Sequence, residues 1–264
     1  MSKKALFYDI DGTLLSEVTH EVPESAKRAL KEARARGHMV FINSGRPYCH
    51  IGPIRDEIEV DGYLCGCGTC IIVDDEILYS HHIPHELGVR IKKSILEHNM
   101  DGVLEGTEAC YFHNQGHRME EMHRLREALG RTGCISPYGW DVDCYEFDKM
   151  CVLADEKSDR AGFFRELGLE IDVIDRGNDL YECVSAGHSK ATAIEFILER
   201  YGIPLEDAYV FGDSTNDLSM FEYAKNAVLM GHHDRELEPY ATFLTKNVED
   251  DGIEYAMKKL KIID

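Results

Sequence analysis

A short apolar run, Ala5-Leu6-Phe7-Tyr8, leads directly into Asp9-Ile10-Asp11-Gly12-Thr13, and this junction limits what the chain can fold into. A run of that length, closed by a glycine turn, reads as a buried strand. Side chains two apart on a strand share a face, so a longer strand would bury the Asp9 and Asp11 carboxylates side by side. That is costly without a cation or protons to balance them. The strand is therefore expected to stop at Asp9, at the mouth of a sheet, with the chain turning through Gly12. At such a mouth the two carboxylates can meet a metal ion and an anionic substrate.

The next segments repeat the pattern. Pro23 stands near the start of 22–37 and Gly37 at its end, with Ala26, Ala29, Leu30 and Ala33 on one stripe, which predicts a helix. His38-Met39-Val40-Phe41-Ile42 reads as a second buried strand, ending in Asn43-Ser44-Gly45-Arg46-Pro47, a turn expected to open another helix. Strand, helix, strand at this pitch implies parallel pairing with right-handed crossovers, an α/β sheet of the Rossmann-like kind. Polar loops then gather at the carboxyl ends of the strands, where open α/β sheets place their sites. Ser44 falls at such an end. Its hydroxyl either donates to an oxyanion beside backbone N–H groups or caps the following helix.

The rhythm changes after a hairpin expected at 70–79. From 84 to 184, helix candidates at 86–98, 118–129 and 158–167 alternate with strand candidates at 109–112, 149–153, 170–174 and 180–184. This reads as a separate α+β module inserted in the first domain, giving a core of 1–83 and 185–264 around an insert of 84–184. Loops of the insert carry Tyr111, His113, Asn114, His117, Tyr138 and Trp140, a mixture able to line a small-molecule pocket, although none stands out as a ligand. The parallel pattern resumes at Gly187-His188-Ser189-Lys190, with Ile194, Ile197, Leu198 and Tyr201 on one helical face and Gly202 at the C-terminal end. Lys190 lies in the first turn of that helix, where a cation opposes the macrodipole unless an anion shares the site. Ala208-Tyr209-Val210-Phe211 then leads into Gly212-Asp213-Ser214-Thr215-Asn216-Asp217, a second acidic pair at a strand end, with Asp217 one helical turn beyond Asp213. A helix beginning at Ser214 or Thr215 is compatible with that pairing. Strands near 227–230 and 241–243 and a helix at 249–260 close the chain.

Charge narrows the partners. The 264 residues carry 29 basic and 49 acidic side chains, a formal net charge of −20. Nucleic acid and anionic membrane surfaces reward a basic face, so neither is expected as a partner, and an anionic substrate would need a local cation. No signal-peptide core and no bilayer-length apolar stretch is present, and the nine cysteines suit a reduced, cytoplasmic setting. Cys65, Cys67 and Cys70 cluster, but no second ligand pair stands at zinc-site spacing, so they are expected to be small buried hydrophobes.

Two acidic pairs, a hydroxyl and a lysine thus fall at strand ends or helix starts of one sheet. Oxygen-only ligands suit Mg²⁺, and a metal clamp with a lysine around a free carboxylate suits phosphoryl transfer. In this arrangement the chain resembles the haloacid dehalogenase-like (HAD) hydrolases, in particular the Cof-type phosphatases with a type-IIB cap. Asp9-Ile10-Asp11-Gly12-Thr13 resembles the first motif of that family, Ser44 the second, Lys190 the third and Gly212-Asp213-Ser214-Thr215-Asn216-Asp217 the fourth. Ala227-Val228-Leu229-Met230-Gly231 and Asn247-Val248-Glu249-Asp250-Asp251-Gly252 fit as well. Cys67-Gly68 and Gly231-His232 depart from the Asn-Gly and Gly-Asn often found at those points.

The resemblance implies a cytoplasmic, Mg²⁺-dependent phosphatase acting on a small phosphate ester through an aspartyl-phosphate, with residues 84–184 as its α+β cap. Asp9 would be the nucleophile and Asp11 the acid and base. Ser44, Gly45, Lys190 and Asn216 would hold the phosphate, and Asp9, Asp11, Asp213 and Asp217 the metal. A phosphomutase of the same superfamily would use the same residues. A non-catalytic phospho-acceptor or metabolite-binding module is a more distant alternative, because such a module needs neither Asp11 nor a cap.

Overall fold

The computed structural model describes residues 2–142 and 146–264. In chain order the strands are β1 (Ala5–Tyr8), β2 (Met39–Asn43), β3 (Gly62–Cys65), β4 (Cys70–Val73), β5 (Glu76–Ser80), β6 (Asp101–Glu105), β7 (Cys110–Phe112), β8 (Lys149–Leu153), β9 (Ile171–Asp175), β10 (Leu180–Ser185), β11 (Ala208–Gly212), β12 (Asn226–Leu229) and β13 (Phe243–Leu244). The α-helices are α1 (Glu24–Ala35), α2 (Gly52–Glu57), α3 (His85–Glu97), α4 (Glu120–Arg131), α5 (Arg160–Leu167), α6 (Lys190–Tyr201), α7 (Leu218–Tyr223) and α8 (Gly252–Lys259). Two sheets result. One has eight strands in the order β13-β12-β11-β1-β2-β3-β4-β5, and the other five in the order β7-β6-β8-β10-β9. The fold is α/β, with a parallel-sheet core and a cap domain.

β1 sits between β11 and β2, parallel to both. Its four residues are buried, as a central strand covered on both faces requires. Leu6 and Tyr8 face a layer formed by Ala26, Ala29 and Leu30 of α1 with Ala256 and Met257 of α8. Ala5 and Phe7 face Ala193, Ile194 and Ile197 of α6 with Met220 and Phe221 of α7. Aromatic rings lock the register on both faces: Tyr8 stacks on Phe211 at 4.3 Å and Phe7 on Phe41 at 5.2 Å. The carboxyl ends of β1, β2 and β11 therefore lie side by side.

Every strand of the second sheet lies between Asp101 and Ser185. Its pairs are antiparallel, so its strands alternate between two faces. Met150, Val152 and Cys183 pack on Leu87, Ile91, Ile95 and Phe163 of α3 and α5. Lys149, Cys151, Glu105 and Glu182 take the opposite face, beside the apolar cluster of Val103, Cys110, Phe112 and Leu153 that α4 covers through Met122 and Leu129. No helix among the described residues is long and apolar enough to cross a membrane.

Most element boundaries lie within two residues of those read from the sequence, and the differences have local causes. β6 is hidden in the sequence because Asp101 and Glu105 bracket its short apolar centre. Yet Asp101 is satisfied by the backbone N–H groups of Arg118 and Met119 at 2.8 and 3.1 Å. The expected closing helix at 249–260 begins only at Gly252, because Asp251 takes a left-handed φ of 61° that ends the preceding 3₁₀ turn. After Ser44 the chain makes a 3₁₀ turn, Tyr48–Ile51, before α2, so Ser44 caps no α-helix. Phe211 is wholly buried in the stack on Tyr8. Phe211→Ala should lower unfolding free energy by about 3–5 kcal/mol, read from urea transitions.

Candidate active site

The turn after β1 sets the site. Asp9 extends the ladder by one bond, its N–H donating to the Phe211 carbonyl at 3.0 Å, and then the chain leaves the sheet. Gly12 has φ of 76°, and a Cβ there would lie 2.3 Å from Asp213 Oδ2. Only glycine admits this approach of the first loop to the second acidic pair. Thr13 Oγ1 donates to Asp213 Oδ1 at 2.9 Å across the gap.

Lys190 reaches into this junction from the first turn of α6. Ser189 N-caps the helix in a capping box with Thr192, so Lys190 is the first helical residue. The Asn43 side-chain amide donates to the Lys190 carbonyl at 3.0 Å, tying α6 to the end of β2. The Lys190 ammonium donates to Asp9 Oδ1 and to Asp217 Oδ1, each at 2.6 Å. The anions that justify a cation at a helix N-terminus are these two carboxylates. The other oxygen of Asp217 accepts from the Asp213 and Ser214 N–H groups at 2.9 and 3.2 Å, so both Asp217 oxygens have donors. Ser214 and Asp217 form a capping box on the 3₁₀ turn Thr215–Asp217.

Three buried carboxylates, Asp9, Asp213 and Asp217, thus gather around one ammonium that bonds only the first and third, with one oxygen of each within 4.8 Å of the others. Burial pushes Asp9 up to about 7 against the pull of Lys190, with Asp217 and Asp11 adding to the rise. Burial followed by the charges of Asp9 and Asp217 pushes Asp213 up to about 9. Lys190 is held protonated well above its ordinary range, because Asp217 and Asp9 outweigh the burial that opposes its charge. The excess of negative charge and the all-oxygen donor set fit a hard divalent cation between Asp9 and Asp213.

Asp11 behaves differently. Its side chain is 43% exposed and is gripped by Arg46, with Nε to Oδ2 at 2.8 Å and Nη2 to Oδ1 at 2.5 Å. Loop and motif residues Asp9, Asp11, Ser44, Gly45, Arg46, His50 and Asn216 line one side of a cavity of about 240 Å³. The cap supplies the other side through Glu105, Leu125, Leu129, Lys149, Cys151, Arg176, Leu180 and Glu182. Cap and core touch around the cavity: a Cβ on Gly45 would lie 2.7 Å from Glu182 Oε1, and the Thr215 hydroxyl donates to the Asp175 carbonyl at 3.4 Å.

The cap wall is a second buried charge network. Lys149 pairs with Glu105, and with Glu182 at 2.8 Å, while Arg176 lies 3.5 Å from Glu182. Burial opposes the charge on Glu182, yet Lys149 and Arg176 pull it down to about 2, whereas burial raises Glu105.

The structure brings together every residue singled out at the strand ends: Asp9, Asp11, Ser44, Gly45, Lys190, Asp213, Asn216 and Asp217. Arg46, Glu105, Lys149, Arg176 and Glu182 are not evident as site residues from sequence. Arg46 stands in the turn beside Ser44 without a visible partner, and the alternation of Lys149 and Cys151 is the only trace of a polar strand face. The aromatic and polar cap residues noted in the sequence do not line this cavity. Trp140 donates to the Tyr111 carbonyl at 2.8 Å and His117 bonds Asp101 at 2.9 Å, so they hold the cap together. His113 and Asn114 border a separate hollow with Trp140.

A family model of the haloacid dehalogenase-like hydrolases matches residues 6–257. The chain belongs to that family, and its Cof-type phosphatase branch. It is 30% identical over 266 residues to "Putative phosphatase YkrA" of Bacillus subtilis (strain 168), with both chains covered in full. To the pyridoxal phosphate phosphatase YbhA of Escherichia coli (strain K12) it is 24% identical, over 96% of this chain and 97% of that one. The solved structure of the HAD subclass IIB sugar phosphatase BT4131 superposes with a TM-score of 0.84 at 26% identity, covering 99% of this chain and 100% of the other. The chain is an enzyme, a phosphatase of the HAD hydrolase superfamily, whose members use a divalent metal.

Because the folded protein holds Glu182 at about 2 against an ordinary 4.5, it binds fewer protons there than the unfolded chain does. This stabilisation is present above pH 4.5 and lost as pH falls through 2. Glu182→Gln should flatten acid destabilisation across that window by about 3 kcal/mol, measured by denaturant unfolding at stepped pH.

Proposed function

We propose that this protein is a Mg²⁺-dependent phosphatase that hydrolyses a small phosphomonoester, a sugar phosphate or related metabolite, through an aspartyl-phosphate on Asp9. The observation that carries the reading is the position of Asp9: at the mouth of the sheet, 2.6 Å from Lys190, within the Asp9–Asp213–Asp217 cluster and on the wall of the cavity. Asp9 and Asp213, with the Asp11 backbone carbonyl, would hold the metal. Asp217 supports them through Lys190 and the Asp213 N–H. When bound, Mg²⁺ supplies positive charge that keeps Asp9 ionised and offsets the charge of a phosphate dianion.

Asp9 attacks phosphorus in line while the bond to the ester oxygen breaks. Ser44, the Gly45 main chain, Lys190 and Asn216 hold the phosphoryl oxygens. Asp11 gives a proton to the leaving alcohol and then takes one from the water that hydrolyses the acyl phosphate, releasing inorganic phosphate and restoring Asp9. Arg46 now occupies both Asp11 oxygens, so this pair opens before Asp11 reaches the leaving oxygen. An entering phosphate dianion competes for the same guanidinium. The leaving group faces Glu105, Lys149, Arg176 and Glu182, a set of charged donors and acceptors suited to hydroxyl-rich molecules. The sugar phosphatase named among the similar structures supports that class.

Asp9→Asn should lower phosphate release from a phosphomonoester panel by at least about a thousandfold while far-UV dichroism stays unchanged. Near-normal Mg²⁺-dependent activity in that variant would overturn the assignment. Arg46→Ala should raise KM for the phosphate ester about tenfold or more, from loss of a charge-assisted contact. In the wild type, an isomeric phosphorylated product in place of inorganic phosphate would identify a mutase.

A further inference from the structure

Three cysteines that are distant in sequence converge where the cap meets the core, and none serves the chemistry above. Cys49 lies in the 3₁₀ turn Tyr48–Ile51 of the core, Cys110 in β7 and Cys134 after α4. Main-chain pairing fixes the two cap thiols side by side: the Cys110 N–H donates to the Cys134 carbonyl at 2.7 Å, and the Ser136 N–H to the Cys110 carbonyl at 2.9 Å. Cys49 comes from the other domain, its sulfur 3.9 Å from that of Cys110 and 3.5 Å from the Gly106 carbonyl. The three Sγ atoms lie within 4.8 Å of one another.

We propose that Cys49, Cys110 and Cys134 form a site for a thiophilic divalent ion of the zinc class, and that an ion bound there clamps the cap to the core. Thiolates bound at about 2.3 Å to a tetrahedral ion stand about 3.8 Å apart, close to the observed Cys49–Cys110 separation. Three thiolates fill three of the four tetrahedral positions. The Thr132 hydroxyl lies 3.1 Å from Cys134 Sγ and donates its proton to the Leu129 carbonyl at 2.8 Å; rotation of that hydroxyl on ion binding would give the thiolate an outer donor. Val103, Phe112, Met122, Leu129 and Leu153 wall the site with apolar surface, which strengthens bonds between opposite charges. On binding, each thiol releases its proton to water, with no change in oxidation state.

Cys65 and Cys70 face each other across the β3–β4 hairpin, but no comparable trio includes them among the described residues. Softness keeps the two candidate sites apart, because sulfur selects zinc-like ions whereas the Asp9–Asp213 oxygens suit magnesium. The functional consequence depends on which domain supplies each sulfur. One ligand on the core and two on the cap make the ion a crosslink beside the catalytic cavity. Entry of substrate and release of product need the cap to move, so an occupied site slows turnover.

The test uses the reduced full-length protein saturated with Mg²⁺ and titrated with Co²⁺, then Zn²⁺. A sulfur-to-cobalt charge-transfer band should saturate at one ion per chain and vanish as Zn²⁺ displaces cobalt. Cys110→Ser and Cys134→Ser should abolish the band. Cys49→Ser, half-buried and outside the catalytic cavity, should weaken cobalt binding about tenfold or more, and it carries the test if the buried variants do not fold. Zn²⁺ should slow phosphate release at least about fivefold in the wild type and much less in Cys49→Ser. No sulfur band in the wild type, or equal affinity in Cys49→Ser, overturns the site. Equal inhibition by Zn²⁺ in both proteins overturns the clamp. The spectroscopic arm needs no turnover, so its outcome is independent of the proposed phosphatase mechanism.

Discussion

The rest of the structure depends on the burial of one ammonium, that of Lys190, between the carboxylates of Asp9 and Asp217. All three groups are almost entirely withdrawn from water. Removing one partner from such a set typically costs about 3–5 kcal/mol, because the remaining charge stays buried without compensation. The arrangement therefore requires the ends of β1 and β11 and the start of α6 to meet, and parallel pairing of β1 with β11 makes them meet. It also leaves a surplus of negative charge, since Asp213 has no ammonium of its own among the described residues. The contacts that hold these three elements together thus also gather the acidic cluster that could hold a cation.

The cap repeats the device with the opposite purpose. Lys149 lies between Glu105 and Glu182, and Arg176 adds a second cation, so the wall is internally balanced. A balanced wall needs no ion, but it presents fixed donors and acceptors toward whatever the core holds. The close approach of Glu182 to Gly45 places that wall directly above the turn that follows β2. The same contact explains why position 45 carries no side chain: a Cβ would displace the carboxylate that Lys149 and Arg176 position. The acidic cluster of the core and the charged wall of the cap thus face one cavity from separate elements.

Much of the core is legible in the sequence because its signals are local. A four-residue apolar strand that runs into Asp9 predicts its own end, and Gly12 predicts the turn. Pro23 and Gly37 bracket α1, and the stripe of Ile194, Ile197 and Leu198 closed by Gly202 announces α6. The cap is less legible. β6 hides behind acidic ends whose partners come from elsewhere in the chain, the Arg118 and Met119 N–H groups for Asp101 and the Lys149 ammonium for Glu105. Asp217 is legible only as an acid one helical turn beyond Asp213; that one of its oxygens takes the Lys190 ammonium and the other the Asp213 and Ser214 N–H groups appears only in the fold.

Apart from β6, the sequence by itself determined most of the segments that become strands and helices, and in the core where β1, β2 and β11 stop and which acids, hydroxyl and lysine stand beside those stops. These depend on periodicity and capping within a few residues, and their physics is short-ranged. Only the tertiary structure decided the partnerships. Lys190 meets Asp9 across 181 positions, Arg46 meets Asp11 across 35, and Cys49 meets Cys110 across 61. No local pattern encodes such a meeting, because it arises from strand order and from how the cap lies over the core. The two carboxylates at the end of β1, alike in sequence, therefore have different surroundings. Asp9 is buried against a lysine, whereas Asp11 is half-exposed and held by an arginine.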